Sequence, residues 1–362
     1  SCVVADMTVT MLALKPGLLA DAGRDVCGAI VVAPLAEQTE RLVIDADPVA
    51  WRTDLADYLD VVSAPTAAVD KFSRGSVLVV GGSRRFPGAA IMAARAAARM
   101  GAGYVTLAVP ASVAFVAQSH LLEIPVVPLP EDADGTISAD ARDVVAKLAA
   151  RSSAVLVGPG MRATGGTTTV VSALLETDVP LVVDADGLNC LSRLTDGSLP
   201  DFPEVTRRRA PLVLTPHRQE LGRLVGCPDN PPDSLVAQLE AARKIVWADG
   251  GSELVVVAKG NATGCVSVER AVLPKPGPRV PGDRRLGGRA RGHDGLGPRP
   301  ARERGTDLAL LAAFVCEVHG YAGSLAAEHM GTRGVMATDL IDVIGLAVDA
   351  VEEHAMYPES DD

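Results

Sequence analysis

Five times along this chain a run of three to five apolar residues ends on glycine or a small polar turn. The runs are SVLVVGG (76–82), SAVLVGPG (153–160), PLVVDADGLN (180–189), APLVLTPHRQE (210–220) and ELVVVAKGNATG (253–264). Successive side chains of a β-strand point to opposite faces, so a strand that is apolar throughout has both faces buried. YVTLAVP (104–110) reads as a further strand, and good helix formers lie between several of the runs: GAAIMAARAAARM (88–100), stopped by GAG, and SLVAQLEAARKIVWADG (234–250). Strand, crossover and strand, repeated in this way, predict an α/β fold with a central, mostly parallel sheet and helices on both faces. The segments 308–330 and 337–355 read as two amphipathic helices closing the chain.

Composition narrows the class. The 362 residues carry a net charge of −11, with 48% hydrophobic residues, enough for one large core or one core and a small appendage. The acidic balance argues against nucleic acid or an anionic membrane as the main partner, and aromatics at 3% argue against a base-stacking platform. No apolar run is expected to approach the roughly 18 residues that span a bilayer, and SCVVADMTVT lacks the layout of a signal peptide. Cys2, Cys27, Cys190, Cys227, Cys265 and Cys316 have no CxxC spacing. They read as small buried hydrophobes in a reducing compartment, the cytoplasm. Residues 1–60 look loosely organised: MTVTMLAL (7–14) suits a strand, KPG a turn that ends it, and APTAAVD (64–70) a linker.

In open parallel sheets ligands bind beyond the carboxyl ends of the strands, which here carry GGSRRFPGAA, GPG, DADGLN, TPHRQE and KGNAT. GGSRRFPG has only a loose likeness to a dinucleotide fingerprint and lacks its glycine spacing. Asp184 and Asp186 can serve a turn and helix cap, or a site beside phosphate or metal. His217 and Glu220 stand three apart; Glu220 can complete a capping box with Thr215, and His217 can be an ordinary core histidine. Lys259, followed by backbone amides, suits an anion, or is a solvated lysine in a hairpin turn.

The order of these motifs is more specific than any one of them. DKFSRGSVLVVGGSRRFPGAAIMAARAAARMGAGYVTLAVP (70–110), VLVGPGM (155–161), LVVDADGLN (181–189), LVLTPHRQELGRL (212–224), VVVAKGNATGCVS (255–267) and EVHGYAGSLAAEHMGTRGVMATDLIDVI (317–344) together resemble the NAD(P)H-hydrate dehydratases, a branch of the ribokinase-like superfamily. Residues 3–33 resemble the last strands of the epimerase domain fused ahead of the dehydratase in bifunctional repair proteins, without its catalytic part. The domain reading is therefore an epimerase remnant over 1–45, a linker over 46–69 and a dehydratase domain over 70–362.

The resemblance implies a ribokinase-like fold and repair of hydrated NADH and NADPH (NADHX and NADPHX). ADP, or ATP in some members, with Mg2+, phosphorylates the ring hydroxyl, and phosphate then leaves. Carried onto this chain, Ala89 or Ala90, Gly160 and His217 line the hydrate site. Lys259, Gly260, Asn261, Ala262 and Thr263 bind the nucleotide, and Asp186 and Asn189 lie near the phosphates or metal. The implied protein is a cytoplasmic homo-oligomer. A ribokinase-like kinase for a sugar or vitamin precursor, and a nucleotide-binding protein without catalysis, are the competing readings.

One motif is missing. The family's glycine-rich loop, roughly A-T-x-G-[ST]-G-D, supplies an anion hole and the expected catalytic Asp, and belongs between KGNATG and EVHG. Here 21 of the 31 residues from Lys275 to Gly305 are Arg, Gly or Pro, a composition that cannot form the required helix. Translation of a GC-rich gene in the wrong frame gives such a stretch. His293-Asp294-Gly295-Leu296-Gly297 can be back-translated so that the frame one base later reads Thr-Thr-Gly-Ser-Gly. A frameshift spanning 282–305 is the expectation; a genuine disordered basic insertion is the alternative. Asp307 in GTD mimics the lost motif but lies too close to His319, and neither Asp283 nor Asp294 has a suitable loop around it. The sequence thus offers no catalytic residue.

Overall fold

The computed structural model describes residues 2–35, 38–61, 74–199, 205, 208–247, 253–275 and 306–356. The anomalous stretch 282–305, with Asp283 and Asp294, lies outside them. The chain divides into two compact units, Ala64–Pro231 with Ala241–Ala258, and Ser1–Ser63 with Pro232–Glu240 and Lys259–Asp362.

In the first unit the apolar runs are strands: β4 (Ser76–Val80), β5 (Tyr104–Pro110), β6 (Val126–Leu129), β7 (Ala154–Val157), β8 (Leu181–Val183), β9 (Leu212–Leu214) and β10 (Leu254–Ala258). They pair in the order β6-β5-β4-β7-β8-β9-β10, every pair parallel. Leu78, Val79 and Val80 have no exposed surface, so each contributes about 1.5–3 kcal/mol of burial. The chain starts at interior β4, builds outward to β6, then returns to the other side of β4 and continues through β10. The order therefore reverses between β4 and β7, the position where an open α/β sheet leaves a crevice outside its carboxyl edge.

The helix Pro87–Arg99 begins on a proline whose missing N–H costs nothing there. It buries Ala90, Ile91 and Ala94 against Val105, Leu107, Val113 and Ala117. It ends at Met100, ahead of Gly101 at φ 98°. Thr164 caps Gly165–Leu175 through a reciprocal capping box with Thr167.

In the second unit β1 (Met7–Met11) and β2 (Ala29–Ala33) pair in parallel. KPG does not end the first strand as a turn: Pro16 opens a short helix, Pro16–Leu19, because proline is already set for the first helical position. β3 (Trp51–Arg52) pairs in parallel with β12 (Ala271–Leu273), which runs antiparallel to β11 (Gly264–Val266). Residues 51–60 of the stretch read as linker are thus part of this unit, while APTAAVD (64–70) lies outside the described residues, and Tyr58 of the 3-10 turn Leu55–Asp60 has no exposed surface.

Leu308–Met330 corrects the expectation about apolar length. It has 23 residues, with an 18-residue window of mean hydropathy 1.5, long and apolar enough to cross a membrane by length and composition. In the sequence Glu317, His319 and Glu328 interrupt the apolar run. Leu310, Ala313, Phe314, Val318 and Ala322 are buried inside the unit while Val315 and Met330 are exposed, and Phe314 meets the Tyr58 ring edge-on at 5.5 Å. Asp307 caps this helix by accepting from the Leu310 amide and pairs with Arg270 at 2.7 Å. That is a structural post for the residue that mimics the missing motif.

Glu317 is buried on this helix and accepts from Tyr58 Oη at 2.7 Å, with Thr53 Oγ1 2.8 Å from the same hydroxyl. Burial, above all, pushes the Glu317 carboxyl above its ordinary range, and burial with the Glu317 charge pushes Tyr58 up. A carboxyl raised in the folded state binds more protons folded than unfolded, so its contribution is full below the unfolded value and is lost as pH rises through the folded one. We expect Glu317→Gln, which keeps an acceptor for Tyr58, to remove this loss. Melting temperatures from pH 4 to pH 8 should fall less steeply for the variant than for the parent; parallel curves would contradict the assignment.

Candidate functional site

The loops after β4 and β7 meet at the switch point. The Gly82 amide donates to Pro159 O at 2.8 Å, and Ser83 Oγ donates to Gly160 O at 2.7 Å. Gly160 sits at φ 69°, and a β-carbon there would lie 2.6 Å from Phe86 O and 3.2 Å from Ala89 Cβ. The structure brings Ala89 and Gly160 together, with Phe86 beside them. Ala90 has no exposed surface and backs this corner by packing under Gly81 and Gly82.

The end of β8 is fixed more tightly. Asp184 Oδ1 accepts from Thr215 Oγ1 at 2.7 Å. Asp186 Oδ2 accepts from the Arg162 amide at 2.9 Å, and its Oδ1 from Asn189 Nδ2 at 3.2 Å. Asn189 Oδ1 in turn accepts from Arg223 at 3.0 Å. Ala185 between the two carboxylates lies at φ 50°, ψ −119°, and Arg162 at φ 61°. Such conformations cost about 1–3 kcal/mol each for a residue with a side chain and collect at sites where geometry is over-determined. Ala185→Gly should therefore raise stability by about 1 kcal/mol, the relief of strain less the entropy glycine loses on folding. Denaturant midpoints measure it, and a destabilised variant would show the backbone there to be unstrained.

The end of β9 supplies His217, which also caps a helix. It is the N-cap of Arg218–Leu224: Nδ1 accepts from the Gln219 and Glu220 amides at 3.1 and 3.4 Å, and Nε2 lies 3.2 Å from Glu220 Oε1. The capping box is closed by His217 and Glu220, not by Thr215, whose hydroxyl is turned to Asp184. The His217 side chain is still about half exposed (51%), so one face of the ring is open.

Lys259–Thr263 belongs to the second unit, ahead of β11. Gly260 and Asn261 are exposed while Lys259, Ala262 and Thr263 are partly buried. Asn261 O accepts from Arg24 Nη1 at 2.7 Å, which ties this loop to the helix Asp21–Val26. A hydrogen bond from Cys265, and then the nearby Lys259 ammonium, hold the Cys316 thiol below its ordinary range.

Three features had no sequence signal. Arg162 joins two loops through its amide, bound to Asp186, and its guanidinium, 2.9 Å from Asp134. Arg84 reaches Glu131 at 3.3 Å and Ala133 O at 3.2 Å. Arg85 lies over the Phe86 ring at 5.3 Å.

A magnesium ion fits the described residues poorly. Both Asp186 oxygens are engaged by N–H donors, Asp184 holds Thr215, and no group of three or more His, Cys, Asp or Glu converges among the described residues.

Residues 77–277 match the family described as NAD(P)H-hydrate dehydratase. The ADP-dependent (S)-NAD(P)H-hydrate dehydratase of Xanthomonas campestris is 33% identical over 80% of this chain and 93% of its own length. The bifunctional NAD(P)H-hydrate repair enzyme of Salinibacter ruber is 35% identical over 94% of this chain. The chain spans about 60% of the length of that bifunctional relative. The crystal structure of the Bacillus subtilis ADP/ATP-dependent NAD(P)H-hydrate dehydratase co-crystallised with ATP/Mg2+ superposes with a TM-score of 0.60 at 23% identity, over 83% of this chain and 99% of that one. The likeness places the fold among the ribokinase-like proteins. By sequence, the chain belongs to the NAD(P)H-hydrate dehydratase family.

Proposed function

We propose that this chain derives from an ADP-dependent dehydratase that restores NADH and NADPH from their hydrates by phosphorylation and elimination. The observation that carries the reading is the switch point between β4 and β7, where Ala89 and Gly160 meet at a crevice backed by Ala90, with His217 on a later strand end of the same edge. Small residues at such a corner let a buckled, hydrated nicotinamide ring approach backbone. Lys259–Thr263 takes the nucleotide, its ammonium and glycine suited to phosphate oxygens. Asp186 and Asn189 act as a brace that fixes the strand-end backbone. Mg2+ travels with the nucleotide's own phosphates, as this ion often does. We propose further that the dehydratase portion begins near Trp51, a start that the pairing of β3 with β12 supports.

What this copy lacks is the loop that would hold the transferred phosphoryl group and carry the base. ADP-dependent recovery of NADH absorbance from the hydrate tests the reading, with the loop restored at the gene level. No recovery by a folded, restored sample would overturn it. The competing kinase reading would show instead as phosphate transfer to a sugar or vitamin precursor.

A further inference from the structure

Three arginines lie on the two loops that meet at the switch point, Arg84 and Arg85 after β4 and Arg162 after β7, and two are already paired with carboxylates. Arg84 is held by Glu131 and Arg162 by Asp134, both carboxylates of one turn that closes with a bridge between Glu131 and Ile137. Arg85 is exposed and has no carboxylate within ion-pair distance among the described residues; its guanidinium lies over the Phe86 ring, 5.3 Å from the centroid. Phe86 is itself 48% exposed, in a chain with five phenylalanines. Phe86 also packs at Gly160, where a β-carbon would be 3.3 Å from Phe86 Cβ.

An aromatic plate carrying an uncompensated guanidinium, seated on the glycine of the crevice, has the chemistry of a phosphate-bearing dinucleotide's docking point. Stacking holds the guanidinium plane, which then offers two parallel N–H donors to phosphate oxygens. Arg84 and Arg162 each already hold a carboxylate, which leaves Arg85, of the three, without one among the described residues. We infer that Arg85, braced by Phe86, binds the phosphates of the dinucleotide substrate and so selects a full dinucleotide over its nicotinamide fragment. The inference rests on the dehydratase reading of the crevice and adds to it a subsite outside the reacting ring.

The test is binding, which does not require turnover. The full chain is titrated with NADPH, with reduced nicotinamide riboside, which lacks phosphate, and with ADP. The parent should bind NADPH with an affinity that falls as salt rises. Arg85→Ala should weaken NADPH about tenfold, the loss of one charge-assisted contact, and flatten its salt dependence. It should leave riboside and ADP affinities unchanged. Arg85→Lys should recover only part of the loss, since a point charge cannot pair bidentately. Arg151→Ala, an exposed arginine elsewhere on this unit, should change nothing. If the parent binds NADPH and Arg85→Ala binds it equally well, the subsite is wrong and the dehydratase reading stands. Parallel losses for riboside or ADP also sink the subsite. If a folded parent binds no NADPH at all, the dehydratase reading fails and takes the subsite with it.

Discussion

Gly158→Ala should cost on the order of 4 kcal/mol or more, placing it among the large single-residue effects. Gly158 sits at φ 125°, a conformation that a side chain makes strained in any surroundings. Space is the second constraint: an added β-carbon would lie 1.8 Å from Asp184 O and 2.7 Å from the Gly187 amide nitrogen. Both are backbone atoms at the end of β8, and neither can swing aside as a side chain could. The Asp184 carbonyl also accepts the Gly187 amide at 2.9 Å, so pushing it away opens the turn that holds Asp184 and Asp186. Against a typical total of about 5–15 kcal/mol, the variant is expected to express poorly, or to melt on the order of 10 °C lower. Gly165→Ala is the control. It lies in the first turn of a helix with nothing within 4 Å of the added carbon, and should be neutral or slightly stabilising. A Gly158→Ala protein that melts with the parent would show that the β7 and β8 strand ends are not packed as described.

That crowding explains what could and could not be read from the sequence. The runs ending at Val80, Val157, Val183 and Leu214 declared themselves as buried parallel strands because nothing polar interrupts them. Their glycine and aspartate endings marked the ligand edge for the same reason, since the strands had to stop somewhere with backbone to spare. Contacts fixed by distant residues left no trace. Tyr58 and Glu317 are 259 residues apart and each looks ordinary alone. Thr215 could cap a helix or hold Asp184, and only the approach of β8 to β9 decides for the second. His217 took the capping position because its Nδ1 can accept from two successive amides, a use that local sequence rules seldom assign to histidine. The KPG segment misled because proline begins helices as readily as turns.

Restoring the glycine loop should have the larger effect on function. The family's loop would supply backbone donors to the transferred phosphoryl group and an Asp base, and each class of contribution is worth about two to three powers of ten in rate. Groups that act on one transition state are not additive, so the expected gain in ADP-dependent turnover is on the order of 1,000-fold. The 362-residue chain as it stands should turn over the hydrate barely above background. ADP affinity should change far less, because Lys259–Thr263 is intact and the loop's contacts strengthen mainly as charge develops on the transferred group. Changing the restored loop's Asp to Asn should remove most of the gain while leaving nucleotide binding in place. That contrast separates a lost base from a misfolded segment, since a fold defect would lower binding and turnover together. Full activity in the unrestored chain would place the missing chemistry on residues other than the loop, and peptide masses covering Arg279–Gly305 from the active sample would then show the arginine-rich stretch to be genuine protein. Equal inactivity in a restored and folded chain would instead remove the dehydratase assignment itself.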